Sequence, residues 1–566
     1  KSDFRVQYNS WYDHMLDIDA DNIERSFYEI EQGLSDHGVP PLDAYVIDDG
    51  WNNYKAPFWS FNKKFPNKLT DATDQCHKLG STFGLWLGPR GGYTAATPRF
   101  AKKIEKGGNG YLNSDSMDIC VGSEKYLQNL EKFLTDTCTE FDIQYLKLDG
   151  FCLKPCTNPK HDHITGGEND MYFVTEMWQR WINLFTRLRE SRAKDNKPLW
   201  INMTCYVNPS PWWLQYVNSV WLQNSMDIGF AKNLEQQAQV DAEITYRDSM
   251  YYDFMCTRAL QFPAKNIYNH EPIYGNTAKV EYTDEEFEKF LFWNACRGQA
   301  FNELYLSYNK MNSAKWRILA RMLRWQKANH HILKNAMLLG GDPAENNVYA
   351  YAAWTKAGEG IIALRNPTDE KTDLTLTLNK LMGCPENLRA VKCYNVYNTT
   401  GADSLDLFSY GDKMQITLAP FEMKIFQFGD RDNRCLAPEN TNDFTLSFTV
   451  SSNADANICK GKDAAIWIAN GVLHGTFGGC KIQASLVDGA HHITFVRYKN
   501  KMVKLFMDRQ LVDSAYAPEA APQIATDDLA SSAANFSVAD GSTPFEELMD
   551  LKAVLSGSRK FKRKRK

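Results

Sequence analysis

Two short stretches carry the residues that could do chemistry. In residues 145–152, YLKLDGFC, Lys147 and Asp149 lie two apart. On a strand both side chains point to one face, and a lysine beside an aspartate favours the ionised carboxylate. A carboxylate at a strand's C-terminal end is positioned to attack an electrophilic carbon. Alone, the stretch fits a surface strand with a Lys–Asp pair better than a catalytic one. Residues 44–51, AYVIDDGW, change that balance, because Asp48 and Asp49 end another strand and are followed by a glycine and Trp51. Neighbouring carboxylates repel, so a fold tolerates them best where something binds them. Sugar hydroxyls suit that role, and a nearby tryptophan offers a sugar ring an apolar face. Acids repeated at strand ends point to a (β/α)8 TIM barrel of the α/β class, whose catalytic groups sit at the C-terminal ends of its strands.

The elements that must position these residues follow along the chain. Residues 4–11, FRVQYNSW, read as a first strand ending at Trp11. A helix from about Ala20 has Ile23, Phe27, Ile30 and Leu34 on one face and stops at Gly38. With AYVIDDGW this makes a βαβ unit in about 50 residues. A third strand, TFGLWL at 82–87, contains Trp86 and ends in the glycine-rich GPRGGY. That loop lacks the lysine and the serine or threonine of a phosphate loop. It suits either close backbone approach to a ligand, with Arg90 as a donor, or a plain turn. Helices are expected at 124–138, 171–191 and 314–331, and strands at 199–205, 217–222 and 302–307. The strand at 217–222 leads through Gln223 to Asp227, a third acid at a strand end.

The expected domains are the barrel at 1–335, an antiparallel β-sandwich at 336–430, and a second β-sandwich at 431–550 of laminin-G or concanavalin-like type. Carbohydrate binding and a purely structural role fit that last sandwich equally. Residues 551–566 form a basic tail, expected to be disordered. A net charge of −5 argues against nucleic acid as the main partner. No run of about 18 apolar residues is present, so no membrane span is expected, and no signal peptide is seen. The 13 cysteines are an odd, scattered set, which does not read as a disulfide scaffold. Cys152, Cys156, His161 and His163 form the nearest thing to a metal set, but a loop disulfide or free thiols is the favoured reading. No residue is assigned to a metal, and no cofactor is expected.

In chain order, NSW at 9–11, DDGW at 48–51, KFP at 64–66, FGLW at 83–86, LKLD at 146–149 and NSMD at 224–227 give the barrel a specific likeness. It resembles the α-galactosidases and α-N-acetylgalactosaminidases of glycoside hydrolase family 36 and its relative, family 27. The resemblance implies a nucleophile at Asp149 and an acid/base at Asp227. It implies that Asp48 and Asp49 bind the O4 and O6 hydroxyls, that Lys147 is a hydroxyl donor, and that Trp11 and Trp51 wall the sugar pocket. Cys205 matches a strand-end cysteine near the sugar's 2-position. Trp86, Arg90, Tyr206 and Gln223 complete the expected substrate contacts.

The implied activity is removal of terminal α-linked N-acetylgalactosamine or galactose from an oligosaccharide or glycoprotein glycan. It would proceed with retention, through a covalent glycosyl-enzyme. Alternatives are transglycosylation of the raffinose-synthase kind and an inactive glycan-binding barrel. Three departures stand out. Gln223 stands four residues before Asp227, where many relatives carry arginine, and this keeps Asp241 and Asp248 as weaker acid/base candidates. Residues 206–209, YVNP, bring no glutamate to a 2-hydroxyl, which tilts the expectation towards N-acetylgalactosamine. The β-rich domain that usually precedes a family 36 barrel is not seen. Export from the cell is expected; aglycone, linkage and oligomeric state stay open.

Overall fold

The computed structural model describes residues 3–204, 206–397, 404–429, 443–461, 464–518, 533–543 and 548. Between residues 5 and 333, strands alternate with helices. The strands are β1 (Arg5–Asn9), β2 (Ala44–Ile47), β3 (Thr82–Leu87), a small hairpin of β4 (Leu112–Asn113) and β5 (Asp118–Ile119), β6 (Ile143–Asp149), β7 (Trp200–Thr204), β8 (Ser219–Trp221), β9 (Ile267–Tyr268), β10 (Ile273–Tyr274) and β11 (Phe301–Leu306). Nine of them form one sheet in the order β10-β11-β1-β2-β3-β6-β7-β8-β9. Its ladders run parallel, as in β1 with β11, β3 with β6 and β6 with β7. β9 and β10, separated by residues 269–272, stand at the two ends of that order. Read as one interrupted strand, they complete the eight positions of a (β/α)8 ring.

The helices are α1 (Trp11–His14), α2 (Ala20–Ser35), α3 (Thr70–Lys78), α4 (Thr97–Lys106), α5 (Glu124–Glu140), α6 (Met171–Lys194), α7 (Gln239–Tyr252), α8 (Asp284–Cys296) and α9 (Ser313–Leu333). Their starts have chemical causes. Asp19 and Asn22 form a reciprocal cap on α2, Thr283 and Glu286 do so on α8, and Ser123 caps α5. The first strand is shorter than expected. Asn9 Oδ1 accepts the Trp11 N–H at 2.8 Å and turns the chain into α1. Among the described residues no helix is long and apolar enough to cross a membrane.

The chain divides into two compact units. The first, residues 1–18, 46–68 and 83–436, holds most of the barrel and an antiparallel sandwich. That sandwich consists of β12 (Met337–Gly340), β13 (Tyr349–Trp354), β14 (Gly360–Arg365), β15 (Thr372–Thr377), β16 (Val391–Asn395), β17 (Ser404–Phe408), β18 (Lys413–Leu418) and β19 (Met423–Phe428). A six-stranded sheet, β12-β13-β14-β19-β16-β17, faces the β15–β18 pair around Ala352, Ile362, Leu418 and Phe428.

The second unit is residues 19–45, 69–82 and 437–566. Its strands are β20 (Phe444–Val450), β21 (Ala456–Gly461), β22 (Ala464–Ala469), β23 (Val472–Phe477), β24 (Cys480–Ser485), β25 (His491–Arg497), β26 (Met502–Met507), β27 (Gln510–Tyr516) and β28 (Ala533–Asp540). A five-stranded and a four-stranded antiparallel sheet enclose Leu446, Phe448, Ile466, Phe477 and Phe495. The alternation in FTLSFTV is the inward-outward period of β20, whose burial alternates residue by residue. Within this unit the buried Lys504 of β26 donates to Glu31 of α2 at 2.8 Å. The basic tail at 551–566 lies outside the described residues.

Candidate active site

The β2 strand lies between β1 and β3, so Asp48, just past its end, meets Asn9. Asp48 is firmly held: Oδ2 accepts from Asn9 Nδ2 and Lys147 Nζ, both at 2.9 Å, and Oδ1 accepts the Asp49 N–H at 2.8 Å. Lys147, 1% exposed, also donates to the Tyr305 hydroxyl at 3.1 Å. The lysine is therefore bonded to Asp48 and not, as its spacing suggested, to Asp149. Burial alone would lower Lys147, but the charges of Asp48, Glu303 and Asp149 more than reverse that and hold its ammonium above the ordinary value.

Asp49 Oδ1 accepts the Gly50 N–H and the Tyr54 hydroxyl, each at 2.7 Å, which leaves Oδ2 for a ligand. Burial pushes Asp49 up to about 7, against the Tyr54 bond, and the charges of Asp48 and Asp149 add to the rise.

Asp149 ends β6. Parallel register sets it beside Thr204 of β7, and Trp86 of β3 beside Lys147. Its Oδ2 accepts Trp86 Nε1 at 3.0 Å, and its Oδ1 accepts the hydroxyls of Tyr93, at 3.2 Å, and Thr204. Three donors aimed at one carboxyl group suit an anion. Tyr93 is exposed, on the GPRGGY loop. Arg90 of that loop is anchored through one of its nitrogens. Its Nε donates to Asp118 at 2.6 Å, and its guanidinium lies 5.4 Å and 5.8 Å from the ring centroids of Tyr93 and Tyr206. It supports the aromatic pair.

Trp51 is also corrected. It is 0% exposed, packs against Trp59, Phe61 and Phe133, and donates to the Trp86 carbonyl at 2.9 Å. It braces β3 from behind and forms no wall of a pocket. Trp11 is half-buried at the start of α1. Tyr206 is 45% exposed, with a φ of 59°. Cys205 lies outside the described residues.

Asp227 sits on the segment after β8, with its side chain 37% exposed. Its Oδ2 accepts the Tyr12 hydroxyl at 3.1 Å, and its Oδ1 lies 3.3 Å from His270 Nδ1. Its backbone carbonyl accepts Arg247 from α7 at 2.6 Å. The other ends of that guanidinium hold Ser225 and Glu271. Burial, with the charge of Lys147, pushes His270 well below its ordinary value, so its imidazole is neutral. Burial and the Asp227 charge push the Tyr12 phenol up, so it stays a donor. Gln223 ties the strand end together, donating to the Trp221 carbonyl at 2.9 Å and accepting the Val207 N–H at 3.4 Å.

The weaker acid/base candidates are occupied elsewhere. Asp248 accepts from Trp293, Arg297, Tyr349 and Tyr351, and Asp241 pairs with Lys289 and Arg365. Tyr12, Tyr54, Tyr93, Thr204, Arg247 and His270 were not singled out from sequence. The expected cysteine–histidine set also assembles differently, with Cys120 in place of Cys152.

Asp149 acts on both Asp49 and His270, and His270 touches Asp227, so the three acids share one electrostatic neighbourhood. No family model matches the sequence, and no curated protein does. Solved structures do match. The family 36 α-galactosidase AgaA from Geobacillus stearothermophilus aligns with a TM-score of 0.51 and 14% identity, over 75% of this chain and 55% of that one. The chain shares the fold of the family 36 α-galactosidases. α-Galactosidase I from Mortierella vinacea aligns at 0.48 and 13%, over 75% of this chain and 97% of that one.

Proposed function

We propose that the protein is a retaining exo-glycosidase for terminal α-linked galactose or N-acetylgalactosamine, with Asp149 as nucleophile and Asp227 as acid/base. What supports this above all is Asp149, a strand-end carboxylate held by three side-chain donors. In the first step an Asp149 oxygen bonds to the anomeric carbon while the bond to the leaving oxygen breaks, and Asp227 gives that oxygen its proton. In the second, Asp227 takes a proton from water, the water oxygen bonds to the same carbon, and Asp149 departs. The Tyr12 phenol donates to the Asp227 carboxyl, and His270 lies against it. Asp49 Oδ2 takes a hydroxyl, Asp48 and Lys147 adjoin it, and Trp11 offers an apolar face. The absence of a carboxylate from residues 206–209 favours N-acetylgalactosamine.

Turnover of para-nitrophenyl α-galactoside and α-N-acetylgalactosaminide, run in parallel, tests the proposal. One is expected to be cleaved. Asp149→Asn should lower kcat roughly 10⁴-fold or more, and Asp227→Asn about 10²–10⁴-fold. Added azide should give the β-azide with the Asp149 variant, by direct attack from the vacated face. It should give the α-azide with the Asp227 variant, by attack on the glycosyl-enzyme. Reversed anomers exchange the two roles, and no cleavage of either substrate defeats the reading. Product that forms only with an added sugar acceptor would make it a transglycosylase.

The second sandwich supports a carbohydrate-binding role. Trp467 and His474 face each other across β22 and β23, stacked at 5.1 Å. With Lys481, Gln483 and Asp513 they line a cavity of about 520 Å³. Trp467→Ala should weaken retention on a polymeric α-galactoside and leave nitrophenyl-glycoside turnover unchanged.

A further inference from the structure

Cys120 follows β5, whereas Cys156, His161 and His163 lie in the loop 150–167, which has neither helix nor strand. Their ligand-capable atoms all lie within 4.8 Å of one another, the only such set of His, Cys, Asp and Glu found among the described residues. Cys156 Sγ is 3.2 Å from His161 Nδ1, and Cys120 Sγ is 3.1 Å from His163 Nε2. Zinc bonds of about 2.3 Å to sulfur and about 2.0 Å to nitrogen give a tetrahedron edges of roughly 3.3–3.8 Å. Those two contacts fall a few tenths of an ångström short of such edges and the remaining pairs lie within 4.8 Å, so small shifts would centre an ion.

The surroundings of His163 suit a ligand as well. His163 Nδ1 faces the Ile164 carbonyl at 3.3 Å, which calls for the proton on Nδ1 and leaves the Nε2 lone pair directed inward. The Tyr111 ring stacks on His161 at 4.4 Å, and Phe173 meets His163 edge-on at 4.8 Å, so neither imidazole can swing away cheaply. Between the two histidines, Asp162 caps α5, accepting the Glu124 and Lys125 N–H groups at 3.2 Å and 2.9 Å. Two thiolates and two imidazoles cancel the charge of a divalent ion and prefer zinc among common metals.

We propose that Cys120, Cys156, His161 and His163 bind one zinc ion, which clamps the loop after β6 to the β4–β5 hairpin. Four protein ligands leave no open position, so the ion is structural and not catalytic. The clamp lies close to the candidate site in sequence. Asp118, two residues before Cys120, holds Arg90, and Asp149 precedes the loop.

The test is metal content and cobalt spectroscopy on the full chain, purified reduced from a zinc-supplemented medium. One zinc per chain is expected, with a melting temperature that falls on chelation and recovers with added zinc. Cobalt exchanged into the site should show the strong visible bands of a tetrahedral centre and a thiolate charge-transfer band. Cys156→Ser should lose the metal, and Cys152→Ser should keep it. The proposal is overturned if the reduced, zinc-supplied chain holds no stoichiometric metal, if cobalt binds without a thiolate band, or if Cys156→Ser retains the ion. It is also overturned if the chain resists reduction and carries a Cys120–Cys156 disulfide, seen as a mass lower by two hydrogens. The wild-type measurements decide the question even if a variant fails to fold.

Discussion

The two candidate catalytic carboxylates are held in opposite ways. Asp149 is the last residue of a strand with parallel neighbours on both sides, and its donors come from β3, the GPRGGY loop and β7. Asp227 rides on a segment with neither strand nor α-helix. Its side chain touches Tyr12 and His270, but its backbone is fixed by Arg247. Behind Arg247 stands a buried network in which Glu271 takes both Arg247 and Arg297, and Arg297 also takes Asp248. Ladder register holds the first acid and side-chain charge holds the second. The difference fits their tasks: a nucleophile must reach one carbon along one line, whereas an acid/base serves two oxygens in turn and tolerates some travel.

Weakening the Arg247 network should have the largest effect. Lysine at position 247 keeps the charge but cannot fork to Ser225, Asp227 and Glu271 together. Partial loss of a buried pair costs about 3–5 kcal/mol at the extreme, so urea unfolding of Arg247→Lys should shift to clearly lower concentration. The catalytic signature should be selective. Aglycones that need a proton to leave should suffer far more than dinitrophenyl aglycones, which leave without one. A uniform loss across leaving groups would mean that Arg247 supports the fold and does not position Asp227.

The same contrast explains what the sequence could disclose. Asp48, Asp49, Lys147 and Asp149 end strands whose apolar runs are visible in AYVIDDGW and YLKLDGFC. Which neighbour Lys147 would choose was not visible, because spacing of two gives a face but not the side chain that arrives from another strand. Trp51 was misread because the turn after β2 folds back, with Asn62 donating to the Gly50 carbonyl at 2.7 Å, and carries the indole inward. The α7 helix buries Asp241, Glu243, Arg247 and Asp248 along with Val240 and Ile244. It therefore shows no amphipathic period, and Arg247 stayed hidden with it. His270 and Tyr12 are single residues without a motif. The antiparallel sandwiches were easier to read, since alternation alone marks strands such as β18 and β20.

The strand-borne side of the site also carries a pH-dependent group, Asp49. Its pKa rises from 3.8 to about 7 on burial. The folded chain therefore binds this proton more tightly than the unfolded chain does. The stability linked to it is fully present below about pH 4, is lost as pH rises towards about 7, and is flat above that. Acceptance of a sugar hydroxyl by Asp49 runs the other way, improving as pH rises through about 7. Asp49→Asn should flatten the pH dependence of urea unfolding across that window and remove the matching limb from KM. If the variant keeps both slopes, another acid carries them.

The smallest effect should come from thinning the donors around Asp149. Thr204→Val keeps the β-branched shape that β7 requires and deletes one hydroxyl, while Trp86 and Tyr93 continue to donate at 3.0 Å and 3.2 Å. A single hydrogen bond contributes about 1 kcal/mol net, so kcat should change by no more than roughly tenfold. The change should be similar for good and poor leaving groups, because the position of Asp227 is untouched. The carboxyl of the strand-held acid would then be redundantly supported, whereas the backbone of the loop-held acid depends on Arg247. Should Thr204→Val instead prove more damaging than Arg247→Lys, the order reverses. The Asp149 geometry would then depend on the β7 hydroxyl more than on register, and the rigid half of the site would be the more fragile one.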